Sequence, residues 1–171
     1  MPNSPPFNRE VVLLAFDGMP LFEFSIAVEI FGLDRPEMGP DWYNFQTASL
    51  KSGPMRTTAG LRVTADAGLK TFTSAGTIIV PGWPLNRFVP PELTEALKAA
   101  HDRGARLLTI CSGVFVLAAS GLLAGKRATT HWKYTDNVKA AYPEIELVPD
   151  VLYIDEGQIL TSAGSAAGID L

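Results

Sequence analysis

The chain contains one cysteine, Cys111, and it stands at a junction: "RLLTI", an apolar β-forming run, leads into it, and "GVFVLAASG", a run of helix formers, leads out. A strand that passes into a helix through a single residue turns sharply, which strains that residue's backbone and lifts its side chain above the carboxyl edge of the sheet. This is the geometry of a nucleophile elbow. Gly113 removes a side chain where helix and strand come close, although Thr109 stands where the usual elbow pattern has glycine. Free N–H groups and the positive end of the helix dipole favour thiolate, so the expected thiol pKa lies below its reference of about 8.5. Such a thiol attacks electrophilic carbon or is oxidised. The competing reading of a lone cysteine is a small buried hydrophobe.

Sites in open α/β sheets gather at the carboxyl ends of the strands, so partners for the thiol are sought in the turns after the other buried strands. Three turns supply candidates. Glu23 follows the first strand, on an apolar helix between Phe22 and Phe24, where a partly buried carboxyl tends towards a raised pKa. Protonated, it would donate to a thiolate; ionised, it would repel one and raise the thiol pKa. It also reads as a helix N-terminal acid favoured by the dipole. Gly82 and Trp83 follow the second buried strand. His131, followed by Trp132, comes twenty residues after the cysteine in "RATTHWKY" and reads as a base, a pocket-lining donor or a packed ring. No acid stands two residues beyond it, so a complete Cys-His-Glu triad is not visible. His101 lies in a polar helix and is expected in solvent.

The elements that must position these residues follow from hydrophobic patterning. "EVVLLAF", "GTIIV" and "RLLTI" are continuous apolar runs, as expected of strands buried on both faces of a parallel sheet. "LFEFSIAVEIFG" repeats Phe22, Ile26 and Ile30 every four residues and stops at Gly32, predicting a helix packed on the sheet by that stripe. "PPELTEALKAAHDRGA" carries proline and acids at its start, Lys98 and Arg103 late and Gly104 after, a full set of helix signals. "WYNFQTASL" and "GLRVTADAG" alternate as strands, the second near an edge. "VLYIDEGQILTSAG" carries turn residues between two β-rich runs and predicts a hairpin. The order predicts one domain over residues 1–171: a three-layer α/β sandwich with a mostly parallel central sheet.

At 171 residues, 47% hydrophobic and 19% charged, the chain is long and apolar enough for a sizeable core. A single cysteine excludes an internal disulfide, and "MPNSPPFNRE" lacks the apolar core of a secretory signal, so a cytoplasmic location is expected. No apolar run reaches membrane-spanning length. The net charge is −4 with scattered cations, so DNA binding by this chain alone is not expected. One cysteine and two histidines thirty positions apart lack metal-ligand spacing, and no phosphate loop or dinucleotide fingerprint is present, so neither a metal nor a cofactor is expected.

"TICSGVFVLAASGLLAGKRATTHW" resembles the central signature of the ThiJ/PfpI superfamily, and the likeness runs from "VVLLAFDGMPLFEF" to the last residue. The resemblance implies the flavodoxin-like, class I glutamine amidotransferase-like sandwich, with Cys111 at the elbow, Glu23 as its acidic partner, and Gly82 and Ser112 as backbone donors lining the pocket. "DVLYIDEGQILTSAGSAAGIDL" is most similar to the amino-terminal domain of AraC/XylS-family transcriptional regulators, where the sandwich precedes a pair of helix-turn-helix units. The function this implies is a sensory domain that meets a small-molecule effector or oxidant at the cysteine pocket, forms a homodimer, and reaches DNA only through a region this chain does not contain. "SAAGIDL", with Ser165 as a candidate N-cap, begins like a helix and stops early, as expected of a domain lacking its last helix. The alternative is a small cysteine-dependent enzyme of the isonitrile hydratase or hydrolase type. Isonitrile hydratases share the elbow and "ATTHW" but carry Asp where Glu23 stands and Thr where Ser112 stands, which favours the regulator.

Overall fold

A computed structural model describes residues 8–171. Residues 1–7, in the segment read above as lacking a secretory signal, lie outside the described residues. In chain order the elements are β1 (Glu10–Ala15), α1 (Leu21–Ala27), β2 (Asn44–Ser49), β3 (Pro54–Arg56), β4 (Arg62–Thr64), β5 (Ala67–Gly68), β6 (Thr77–Val80), α2 (Pro91–Asp102), β7 (Arg106–Ile110), α3 (Val114–Ala119), β8 (Arg127–Ala128), α4 (Thr135–Ala141), β9 (Glu146–Leu147), β10 (Tyr153–Asp155) and β11 (Ile159–Ser162).

Seven strands form the central sheet in the order β10-β11-β7-β6-β1-β2-β5. Every pairing in it is parallel except the closing hairpin of β10 with β11. The apolar runs become its middle: residues 11–15 of β1 and all of β6 are buried, because helices cover both faces. Crossovers from β1 to β2 and from β6 to β7 travel in opposite directions along the sheet, so right-handed connections put α1 and α2 on opposite faces. The chain leaves β1 on one side and returns on the other with β6, which makes the crevice between their carboxyl ends the topological switch point. "GLRVTADAG" divides: β4 pairs with β3 in a small antiparallel hairpin outside the sheet, and β5 forms the edge.

The first helix departs from its predicted shape. It is α-helical to Ala27 and then widens into a π-helical turn, Val28–Gly32. Its buried face carries Glu23, Phe24, Ile26 and Ala27, while Phe22 is 55% exposed. Phe22, Ile26 and Ile30 instead line a surface cleft with Ile169. The four-residue repeat was a true apolar stripe, but it did not identify the sheet-facing side, because the packed face includes a carboxylate whose bonds the fold supplies. His101 also departs from expectation: it is partly buried, with Nδ1 shielded 3.7 Å from Asp102 Oδ1.

Candidate functional site

Cys111 directly follows β7 and opens a 3-10 turn, Cys111–Gly113, that runs into α3. Its φ is 56°, a left-handed backbone conformation that costs a non-glycine residue about 1–2 kcal/mol. Neighbouring bonds hold the turn in place: the Thr130 hydroxyl, brought in after β8, donates to the Cys111 carbonyl at 2.9 Å. Gly113 permits the close approach, since a Cβ there would lie 2.9 Å from the Pro81 carbonyl oxygen. The sharp turn read from the sequence is therefore present. Its side chain is not lifted into solvent, however; Cys111 is 7% exposed.

Glu23 reaches the same spot from the first turn of α1 and is 3% exposed. A buried carboxyl requires donors, and two supply them. The Gly82 N–H donates to Oε2 at 2.6 Å, and the Ser165 hydroxyl donates to Oε1 at 2.8 Å. The Gly82 donor is thus engaged by Glu23 rather than free in the pocket. A Cβ at Gly82 would collide with the Glu23 carboxylate and come within 3.1 Å of Ser112 Oγ, so glycine is required there for space. Burial first, and then the charge of Glu23, push the Cys111 thiol up to about 12, and its hydrogen bond to that carboxylate adds to the rise; the Ser112 N–H and hydroxyl pull the other way. This reverses the expected depression of the thiol, in the direction given above for an acid that repels a thiolate. The following helix has only 6 residues behind a 3-10 turn, and its dipole does not outweigh desolvation beside an acid.

Two residues of this cluster were not foreseen. Ser165 was read as a helix cap; it does precede a 3-10 turn, Ala166–Gly168, but its hydroxyl goes to Glu23 and makes no cap bond. Tyr134, in the 3-10 turn Trp132–Tyr134, stands near enough that its hydroxyl is pushed up by burial and then by the charges of Cys111 and Glu23. A serine in a small-residue run and a tyrosine after "HWK" carry no local signal of such roles.

The remaining candidates fall outside the thiol's immediate contacts. His131 Nδ1 accepts the Lys133 N–H at 3.2 Å, and its ring packs with Trp132 and Tyr134 at centroid distances of 5.3 and 5.7 Å. Among the described residues no hydrogen bond joins His131 to Cys111. Trp132 is 79% exposed and lines, with His131 and Ser165, an open cleft of about 580 Å³ beside the recess. Trp83 is buried and packs on Phe16 at 4.5 Å, facing a different cleft. The assembled group is thus Cys111, Glu23, Ser112, Gly82 and Ser165 with Tyr134 beside it: a buried thiol with a buried carboxylate against it.

The sequence pattern of the DJ-1/PfpI family matches residues 9–171. An uncharacterised protein in the cpoL 5′ region of Streptomyces lividans is 37% identical over 79% of this chain and 96% of its own length. The HTH-type transcriptional regulator CdhR of Pseudomonas aeruginosa is 35% identical over 96% of this chain but 48% of its own. An isonitrile hydratase of Pseudomonas putida is 32% identical over 68% of this chain and 51% of its own. The chain therefore spans about half the length of these last two relatives. The crystal structure of an AraC family transcriptional regulator from Pseudomonas putida superposes with a TM-score of 0.80 at 18% identity, covering 95% of this chain and 87% of that one, a likeness of fold. Among the described residues no helix is long and apolar enough to cross a membrane.

Proposed function

The chain belongs to the DJ-1/PfpI family, and from that premise we propose that it is the sensory domain of an AraC-type transcriptional regulator, responding to an electrophilic small molecule or oxidant at Cys111. The observation that carries this reading is the identity to the regulator CdhR across 96% of this chain. DNA would be reached through a region this chain does not contain, and a homodimer would match the two-fold symmetry of paired half-sites. The recess supports a sensing role physically. A modification at Cys111 adds bulk or charge against Glu23, and Glu23 is bonded to Ser165, which leads into the 3-10 turn Ala166–Gly168.

The second reading, a cysteine-dependent hydratase, is favoured by the isonitrile hydratase relative. One pair of measurements separates the two. Alkylation or peroxide oxidation of Cys111, carried out at alkaline pH where the raised thiol begins to ionise, should change hydrogen exchange in residues 163–171, and Ser165→Ala should abolish that change while leaving the modification itself intact. Cys111-dependent turnover of an isonitrile would instead make this an enzyme, and modification with no change in residues 163–171 would remove the sensor.

A further inference from the structure

A second cleft lies at the switch point, lined by Trp83 and not by Gly82 or Cys111. It encloses about 200 Å³ among residues that follow β1 and β6, and Leu50, Lys51, Met55 and side chains of the 87–92 segment complete its lining. Its floor is apolar and buried: Ala15 is 0%, Phe16 5%, Trp83 3% and Met55 6% exposed. Its rim carries two exposed cations, Arg87 and Lys51.

Arg87 is held in a defined pose. Its guanidinium lies 5.7 Å from the centre of the Phe16 ring and 5.5 Å from that of Trp83. Nη1 donates to the Asp17 carbonyl at 2.6 Å, and the Trp83 indole N–H donates to the Arg87 carbonyl at 3.0 Å. That arrangement engages one edge of the fork and leaves the remaining N–H donors open. Among the described residues neither Arg87 nor Lys51 forms an ion pair. The two acids at the cleft are turned to other tasks: Asp17 Oδ1 accepts the Arg56 N–H at 2.8 Å, and Glu92 stands in the first turn of α2, where the helix dipole favours it.

A planar fork fixed above apolar walls suits a carboxylate with a hydrocarbon body. We infer that this cleft binds small monocarboxylic acids, with the carboxylate on Arg87 and Lys51 and the body against Phe16, Trp83 and Met55. The inference is independent of the role of Cys111 and holds for either reading above.

The test uses hexanoate and its neutral isostere hexanamide, followed through the amide and indole N–H signals of the 15N-labelled protein. Hexanoate should shift the Trp83 indole N–H and saturate. Hexanamide on the parent, and hexanoate on Arg87→Gln, should each bind about tenfold more weakly or worse, since each lacks one side of a charge-assisted pair. Lys51→Gln should weaken hexanoate several-fold, and Cys111→Ser should leave it unchanged. Equal affinity for acid and amide would overturn the inference, and so would full affinity in a folded Arg87→Gln protein. Shifts centred on Cys111 instead of Trp83, or no shift at millimolar hexanoate, would do the same. Should Arg87→Gln fail to fold, Lys51→Gln and the amide comparison decide the question alone.

Discussion

Gly82 and Trp83 are adjacent in the chain and face two different kinds of place. On the Gly82 side, the recess around Cys111 is closed, and each carboxylate oxygen of Glu23 has its donor. On the Trp83 side, the cleft is open and its cations are exposed, with Phe88 at the rim 78% exposed. The difference sets two environments side by side along one sheet edge. Where polar groups satisfy one another out of water, geometry is rigid and reactivity is tuned by contact. Where they face solvent, the same edge can accept a ligand without disturbing the core.

Gly82→Ala should break the comparison most forcefully. Its Cβ would collide with the Glu23 carboxylate and crowd Ser112, and relief would require displacing a buried acid from its donors. Overpacking combined with a weakened bond to a charged group should destabilise the protein by about 3 kcal/mol, lowering Tm by roughly 6–12 °C. Thermal unfolding followed by circular dichroism measures this. A loss under about 1 kcal/mol would mean that the recess is looser than its bonds indicate.

An intermediate effect is expected from the thiol. Because the folded-state pKa is raised to about 12 from an ordinary value of 9.0, burying the neutral thiol contributes stability that is fully present below pH 9 and is lost as pH climbs towards 12. The stability difference between parent and Cys111→Ala should therefore stay constant up to pH 9, then move against the parent by as much as about 1.4 kcal/mol per pH unit. Urea titrations at matched pH read it directly, and a flat difference would place the thiol in a wetter setting. Glu23→Gln, which removes the charge and keeps an acceptor, should lower the midpoint of iodoacetamide reactivity, because the carboxylate is the second contributor to the rise. A midpoint that rose would restore Glu23 as a proton donor to the thiolate.

How much of this was legible beforehand depended on whether the signal was local. The three buried strands, the closing hairpin and the turn at Cys111 each announce themselves within a few residues, as apolar runs, paired turn residues and a strand-helix junction, and all are present. Gly113 was likewise readable, because a short strand-to-helix turn leaves no room there. The sign of the thiol shift was not, since it follows from burial first and then from the charge of Glu23, which only the fold brings beside Cys111. Contacts between distant segments decide both, and no spacing rule encodes them. The amphipathic stripe of the first helix misled for a related reason: periodicity counts Phe22 and discounts Glu23, whereas the fold buries the acid and exposes the ring.

The smallest effect is expected on the open side. Phe88 is flanked by Arg87 and by Val89 in the segment leading to α2, and its ring is largely in water, so truncation removes little buried area. Phe88→Ala should change stability by less than about 0.5 kcal/mol, as surface substitutions away from cores and buried networks usually do. The thiol titration should be identical to the parent's, because Phe88 is not among the groups that shift Cys111. What should change is retention of an apolar acid, since Phe88 lines the cleft. A stability loss approaching that of Gly82→Ala would show the segment to be packed and the cleft closed. Unchanged stability with a weaker hexanoate response would leave the two sides of residues 82–83 as different in behaviour as they are in geometry.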